Sequence, residues 1–347
     1  MMRLVVVLTL TLFSAVVSAN EVAPGIYRTP DARFENLDDY PFAPNYMQIG
    51  KYRVHYLDEG PADATPILLL HGEPTWSYLY RKMIPVLTAA GYRVIAPDLV
   101  GFGKSDKAAN TSDYSYQMQV DSMLELVQKL NLQDVTFFGQ DWGGLIGLRV
   151  VTAQPERFSS VVVSNTGMPD AEGIVGMLGY SLFRLAVWWE GEVTLNELRE
   201  DVSFMRWVAY SQSVDDLPVG ELMQFMGVDD TVVQAYEAPF PDRRYKAAVH
   251  VMPYLVPSQL QENAAAWKVF EKWKKPFLVA FSDSDPITAG GDKVFLDRVP
   301  TAQNFPIAGA GHFVQEDAGV ELARLILRFL AGETLQQSSG NYRAVEP

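Results

Sequence analysis

The chain reads as an α/β protein: a mostly parallel sheet flanked by helices and interrupted once by a helical insertion. Two observations carry that reading. Short apolar strand-like runs alternate with helix-like segments from about residue 46 to 165, and again after about 257. Such alternation implies a parallel sheet covered on both faces. Between those stretches the chain turns helical, aromatic and Met-rich, with few strand-like runs. Its 347 residues suffice for one large domain with a sizeable insertion.

Taken in order, residues 47–57 read as a hairpin pair of strands around Gly50, 67–70 as a short buried strand, 76–90 as a helix and 93–97 as the next strand. An amphipathic helix is expected over 115–130, a strand over 135–138, a helix over 143–154 and an apolar strand over 160–164. After the insertion come a strand at 277–281, a helix near 292–299, a strand around 304–307 and a final helix over 319–330. These limits place the core in 20–165 and 257–335 and a helical cap in 166–256. Residues 20–44, rich in Pro, Asp and Asn, read as an extended lead-in, and 336–347 as a polar, flexible tail.

The first 19 residues differ from the rest. Arg3 gives a positive start, an apolar run follows over 4–16, and Val17-Ser-Ala19 is a small-residue site of the kind signal peptidase cuts. The expectation is a signal peptide and a secreted or periplasmic protein, with an uncleaved anchor as the alternative. The formal charge of −14 disfavours nucleic acid and anionic membranes as partners. With no cysteine, the chain has no disulfide, no thiolate nucleophile and no thiolate metal site. Any catalytic imidazole must come from His55, His71, His250 or His312.

The most informative stretch is Gly139-Gln-Asp-Trp-Gly-Gly144, where a strand runs through a sharp turn into a helix. Small residues on either side of position 141 suit a strained turn that presents a nucleophile, and the helix behind it favours an ionised carboxylate. Asp141 would then attack a saturated carbon and form an ester that water must cleave. The plainer reading is that Asp141 caps the helix beginning near Gly143. On these residues alone both stand.

Two further segments bear on the choice. His71-Gly-Glu-Pro74 follows the buried strand at 67–70, the place where backbone N–H groups stabilise an oxyanion beside such a turn. The donors would be the amides of Glu73 and Trp142, with His71 a structural prop for the loop. Near the end, Gly311-His312 lies between the last short strand and the final helix, so the order nucleophile, acid, histidine makes His312 the candidate base. Ser282-Asp-Ser-Asp-Pro286 offers two carboxylates to orient it. Asp285 is preferred because the loop has then turned away from the strand; Asp283 is the alternative.

These segments resemble the haloalkane dehalogenases, specifically the subfamily whose triad acid comes late in the core. His71-Gly-Glu-Pro-Thr-Trp-Ser-Tyr78, Pro97-Asp-Leu-Val-Gly-Phe-Gly-Lys-Ser-Asp106, Gly139-Gln-Asp-Trp-Gly-Gly144, Ala238-Pro-Phe-Pro-Asp242 and Gly311-His-Phe-Val-Gln-Glu316 carry the likeness, which spans residues 28–330. The signal peptide is its main departure. The resemblance implies an α/β-hydrolase fold with a helical cap, Asp141 as nucleophile, His312 as base and Asp285 as its partner. It implies that the indole N–H groups of Trp142 and a cap tryptophan hold the departing halide, and Phe204-Met-Arg-Trp207 matches the cap pattern. Substrate would be a small apolar halogenated compound and water, with no cofactor or metal. An epoxide hydrolase shares the aspartate turn but needs acidic O–H donors, for which Tyr210 and Tyr245 are available. A non-catalytic binding homologue is the other alternative, against which the complete set of site residues speaks.

Overall fold

The computed structural model describes residues 20–333 and 335; the expected signal peptide at 1–19 and tail at 336–347 lie outside the described residues. In chain order the strands are β1 (Asn20–Ala23), β2 (Ile26–Arg28), β3 (Asn45–Ile49), β4 (Tyr52–Glu59), β5 (Pro66–Leu70), β6 (Arg93–Pro97), β7 (Lys107–Ala108), β8 (Val135–Gln140), β9 (Phe158–Ser164), β10 (Phe277–Val279) and β11 (Ala302–Asn304). Eight of them form one sheet in the order β11-β10-β9-β8-β5-β6-β4-β3. From β11 to β6 every neighbouring pair is parallel; the β3–β4 hairpin closes that edge antiparallel.

Burial on both faces explains the near-continuous apolar strands. In β5, Ile67 and Leu69 join one core cluster while Leu68 and Leu70 join the other. Phe137 and Phe138 of β8 divide in the same way. Successive side chains point to opposite faces, so a sheet clad on both sides needs apolar residues at every position. Each such side chain contributes about 1.5–3 kcal/mol on burial.

Helices α1 (Ile84–Ala89), α2 (Tyr116–Lys129), α3 (Trp142–Ala153), α11 (Asp292–Arg298) and α12 (Val314–Leu330) clad the sheet. Between β9 and β10 the chain leaves the sheet as α4 (Gly173–Glu190), α5 (Leu195–Glu200), α6 (Phe204–Ser213), α7 (Val219–Phe225), α8 (Asp230–Glu237), α9 (Ala247–Leu255) and α10 (Leu260–Phe270). Trp76 ties this insertion to the core, its Nε1–H donating to Ala235 O at 2.9 Å.

Four local expectations are corrected. Residues 76–90 are not one helix: a 3-10 turn at Ser77–Tyr80 precedes α1. Pro85 is tolerated only in the first helical turn, which sets where α1 can begin. The strand expected at 304–307 pairs at Ala302–Asn304, with an isolated bridge from Ser282 to Ile307 beyond it. Pro306 lacks the N–H that a continuous ladder needs. The last helix starts at Val314, five residues early, because a kink at Ala318 separates its first turn from the periodic run. The lead-in at 20–44 is partly strand: β1 and β2 make a small antiparallel sheet with β7. A two-pronged ion pair, Arg28 to Asp106 at 2.8 and 3.0 Å, holds it there.

Candidate active site

β8 delivers Asp141 at its C-terminal end, and α3 begins at the next residue. Asp141 has φ 51° and ψ −129°, a left-handed backbone that a non-glycine residue adopts only under constraint. Its neighbours supply that constraint. The Asp141 N–H donates to Asn165 O at 2.9 Å, and the Thr166 hydroxyl donates to Asp141 O at 2.7 Å. The glycines on both sides are required by space. A Cβ at Gly143 would sit 1.9 Å from Leu70 O, one at Gly144 would sit 2.1 Å from Thr166 Oγ1, and one at Gly139 would meet the backbone of Gly143 and Gly144 at 2.8 Å.

The side chain of Asp141 makes no capping bond to α3. Instead its Oδ1 accepts the Glu73 N–H at 2.8 Å. The capping reading therefore fails on geometry. Gly72 permits the approach: a Cβ there would lie 2.3 Å from Asp141 Oδ1. The Trp142 N–H stands at the first position of α3, where no intrahelical acceptor exists.

His312 is buried beside this carboxylate. Its Nε2 lies 3.7 Å from Asp141 Oδ2 and its Nδ1 lies 3.0 Å from Asp285 Oδ2. Asp285 also accepts the Ile287 N–H at 2.8 Å and the Thr288 hydroxyl. Asp283 faces elsewhere, its Oδ1 accepting from Gly309 N–H and the Ser284 hydroxyl, both at 2.9 Å. Burial disfavours a charged His312, but the two carboxylates outweigh it and push its pKa up to about 10. Burial likewise opposes ionisation of Asp285, yet His312 and the two donors hold its pKa below the usual carboxylate value. Burial, followed by the nearby Asp141 charge, pushes the Glu73 carboxyl well above its ordinary value, and Glu73 Oε1 has no partner among the described residues.

Asp141, Glu73, Trp142, Trp207 and His312 all line one cavity, with about 80 Å³ open to the centre of a water-sized molecule. The cap closes it with apolar side chains, among them Phe204, Leu222, Met223, Phe225 and Met226. The tryptophans divide by what their N–H groups do. Those of Trp76 and Trp267 donate to backbone oxygens, at 2.9 and 2.8 Å. Trp273 buries its own without a partner among the described residues, and Trp188 and Trp189 lie on the surface. Trp142 and Trp207 line the cavity, and no hydrogen bond involves either indole N–H among the described residues. Tyr116 packs edge-on against Trp142 at 5.1 Å between ring centroids and fixes its plane.

The other histidines serve structure. His71 Nδ1 bonds Gly72 O at 2.8 Å while its Nε2 accepts the Leu99 N–H at 2.9 Å, so it props the Glu73 loop against the β6 exit. His55 pairs with buried Asp98 at 2.7 Å, and His250 with Ser211 O at 2.8 Å. The sequence reading missed two bracing residues. Gln140 Nε2 lies 3.2 Å from His312 Nε2 and donates to His312 O at 3.1 Å. Asn165 Nδ2 donates to both Gly311 O and His312 O at 2.9 Å. Their signal was a polar amide at the inner end of a buried strand, where an unpartnered polar group is costly. Among the described residues no three His, Asp or Glu side chains converge as a metal site requires.

Residues 65–319 match the family description "alpha/beta hydrolase fold". A turn-borne carboxylate, a histidine with its acid, and backbone donors at the C-terminal ends of a mostly parallel sheet define that class, and the chain belongs to it. More specific similarity follows from individual proteins. The haloalkane dehalogenase of Psychrobacter cryohalolentis is 46% identical over 321 residues, covering 88% of this chain and 98% of that protein. The haloalkane dehalogenase of Mycolicibacterium paratuberculosis is 43% identical over 317 residues, 87% of this chain and 97% of the other. Among solved structures, the tetrameric haloalkane dehalogenase DpaA from Paraglaciecola agarilytica NO2 superposes with a TM-score of 0.75 at 33% identity, covering 90% of this chain and 99% of that one. The chain is a member of the haloalkane dehalogenase family.

Proposed function

We propose that this protein hydrolyses carbon–halogen bonds of small haloalkanes through a covalent ester on Asp141. The observation that carries the reading is one apolar cavity holding both a carboxylate oxygen free to attack and two unpaired indole N–H groups. Asp141 Oδ1 is occupied by the Glu73 N–H, which leaves Oδ2, on the His312 side, to attack the halogen-bearing carbon. As that C–O bond forms, the carbon–halogen bond breaks and the halide keeps the electron pair. Indole N–H is donor-only on an apolar body, so Trp142 and Trp207 favour the developing anion without repelling it. Their bonds strengthen as charge grows, which favours the transition state over the substrate.

The charge on His312 then changes role. While Asp141 is anionic, both carboxylates hold the imidazole protonated. Alkylation removes the Asp141 charge, and burial then acts with less opposition, so His312 releases its proton and becomes a base. Water adds to the ester carbonyl and gives one proton to His312, while the Glu73 and Trp142 amides stabilise the oxyanion. Collapse breaks the ester C–O bond and expels the alkoxide, which takes the second proton of the water and leaves as alcohol while the carboxylate re-forms beside a protonated His312. The proton that His312 gave up after alkylation is the one released to solvent. The net products are alcohol, halide and one proton.

The epoxide reading loses its donors, since neither Tyr210 nor Tyr245 lines the cavity. Tyr245 instead bonds the Asn20 N–H through its hydroxyl, at 3.1 Å. Purified protein should release bromide from short bromoalkanes and form no diol from matched epoxides. His312→Gln should stall after one turnover with a mass gain of one alkyl group; steady bromide release without that adduct would overturn the ester route. Export is proposed on the order of charge, apolar run and small residues at 1–19. Protein recovered outside the cytoplasm should begin at Asn20.

A further inference from the structure

We propose that the outer face of α4 is a two-fold interface with a second copy of this chain. The inference goes beyond the reaction and does not depend on it.

The inner face of α4 is already used. Phe183 stacks on Phe204 of α6 at 5.9 Å, Val187 is buried, and a Cβ at Gly179 would sit 2.6 Å from Leu260 Cδ1. The outer face is equally apolar. Ile174, Leu178, Leu182, Leu185 and Trp189 follow one another at helical spacings of four, four, three and four, with Val175 and Trp188 beside them. All seven are at least half exposed, and Trp189 reaches 82%. A helix that is apolar all round is ordinarily buried on every side. The charged residues of α4, Arg184 and Glu190, engage neighbours at its flank, Arg184 with Tyr254 and Glu190 with Arg206.

Size and symmetry both point to a copy of the same chain. The stripe offers roughly the 800 Å² that one partner brings to a standard interface, beyond the few hundred that a monomer ordinarily leaves open. It is also self-complementary. Residues related about the midpoint of Ser181 and Leu182 are all apolar: Ile174 pairs with Trp189 and Val175 with Trp188, the smaller with the larger, and Leu178 pairs with Leu185. A two-fold axis through that midpoint lays two antiparallel α4 helices together in this register, as an isologous contact demands. Ser181, small and exposed, stands where the backbones approach. A membrane surface fits less well. An interfacial helix usually carries basic residues on its polar face, and the chain is strongly acidic overall.

The test uses the absence of cysteine. Light scattering on the eluted protein at micromolar concentration should give twice the chain mass or a higher even multiple. Leu182→Glu with Trp189→Glu should lower that at least twofold while leaving bromide release within a few-fold of normal. Under mild oxidation Ser181→Cys should cross-link to a dimer far faster than Gln133→Cys, which lies before β8 at the opposite end of the sheet from Asp141. A wild-type protein of single-chain mass, an unchanged assembly in the double variant, or equal cross-linking at both positions would each overturn the proposal. So would a monomer that floats with phosphatidylcholine vesicles, which would assign the face to a membrane. The cysteine variant keeps the test open should the glutamates unfold the cap.

Discussion

The core and the insertion meet at one cavity but contribute to it in different ways. The core supplies Asp141, Glu73, His312 and Asp285 from the ends of strands and the loops beyond them, each held by short hydrogen bonds to backbone or buried side chains. The insertion supplies Trp207 and the apolar cover, from helices joined to one another mainly by side-chain packing. The groups proposed to move protons and electron pairs are thus placed where the backbone fixes them. The groups proposed to choose a substrate sit where packing can adjust. The difference suggests that core substitutions act on rate and cap substitutions on which halide and carbon chain are accepted.

The largest effect expected is from Asp141→Asn, which should lower halide release by on the order of 10⁵-fold or more. The same variant sharpens the electrostatic side of the comparison. In the wild type His312 should keep its proton to about pH 10, and removing the Asp141 charge should bring that titration down in an NMR pH series. The sign follows from linkage: a raised histidine pKa adds stability that is full below its unfolded value near 6.5 and fades as pH rises toward 10. An unchanged titration in Asp141→Asn would break the coupling between the two residues.

Next come the two carboxylates of one loop. Asp285→Asn should cost about 10³–10⁴-fold in kcat, because the imidazole loses its orientation and its charge partner. Asp283→Asn, on an exposed residue facing the other way, should change kcat by roughly twofold or less. Equal losses would erase the distinction between them. Trp207→Phe keeps the ring but removes one donor, and should lower kcat/KM by about 10²-fold. A loss that differs among chloride, bromide and iodide would place the effect on the halide. A smaller effect on turnover than at Trp207 is expected from Trp76→Phe, which cuts the tie to Ala235 O and should lower stability by about 1–3 kcal/mol in urea unfolding while changing turnover by less than about tenfold.

Much of the core was legible along the chain. The strands of the central sheet, the turn at Asp141 and the Glu73 loop are local patterns, and each sits where periodicity and small residues place it. Departures arose where a single residue altered the backbone: Pro85 at α1, Pro306 after β11 and the kink at Ala318. The capping alternative for Asp141 could not be set aside from the turn itself, since a cap and a nucleophile share the same spacing. It falls because Glu73, sixty-eight residues earlier, takes the side chain.

From the amino-acid order alone come the strand–helix alternation, the glycine-flanked carboxylate and a short roster of histidines and tryptophans, because those depend on neighbours within a turn or two. Which of two aspartates meets His312, which indoles keep an idle N–H, and that Gln140 and Asn165 brace the imidazole backbone were decided only in three dimensions. Those choices join groups 27 residues apart for Asp285 and His312 and 147 and 172 residues apart for the two braces, and in the case of the idle N–H groups they depend on what does not lie nearby. Hydrogen bonding is satisfied by whatever the fold brings within three ångströms, and sequence spacing carries no record of that.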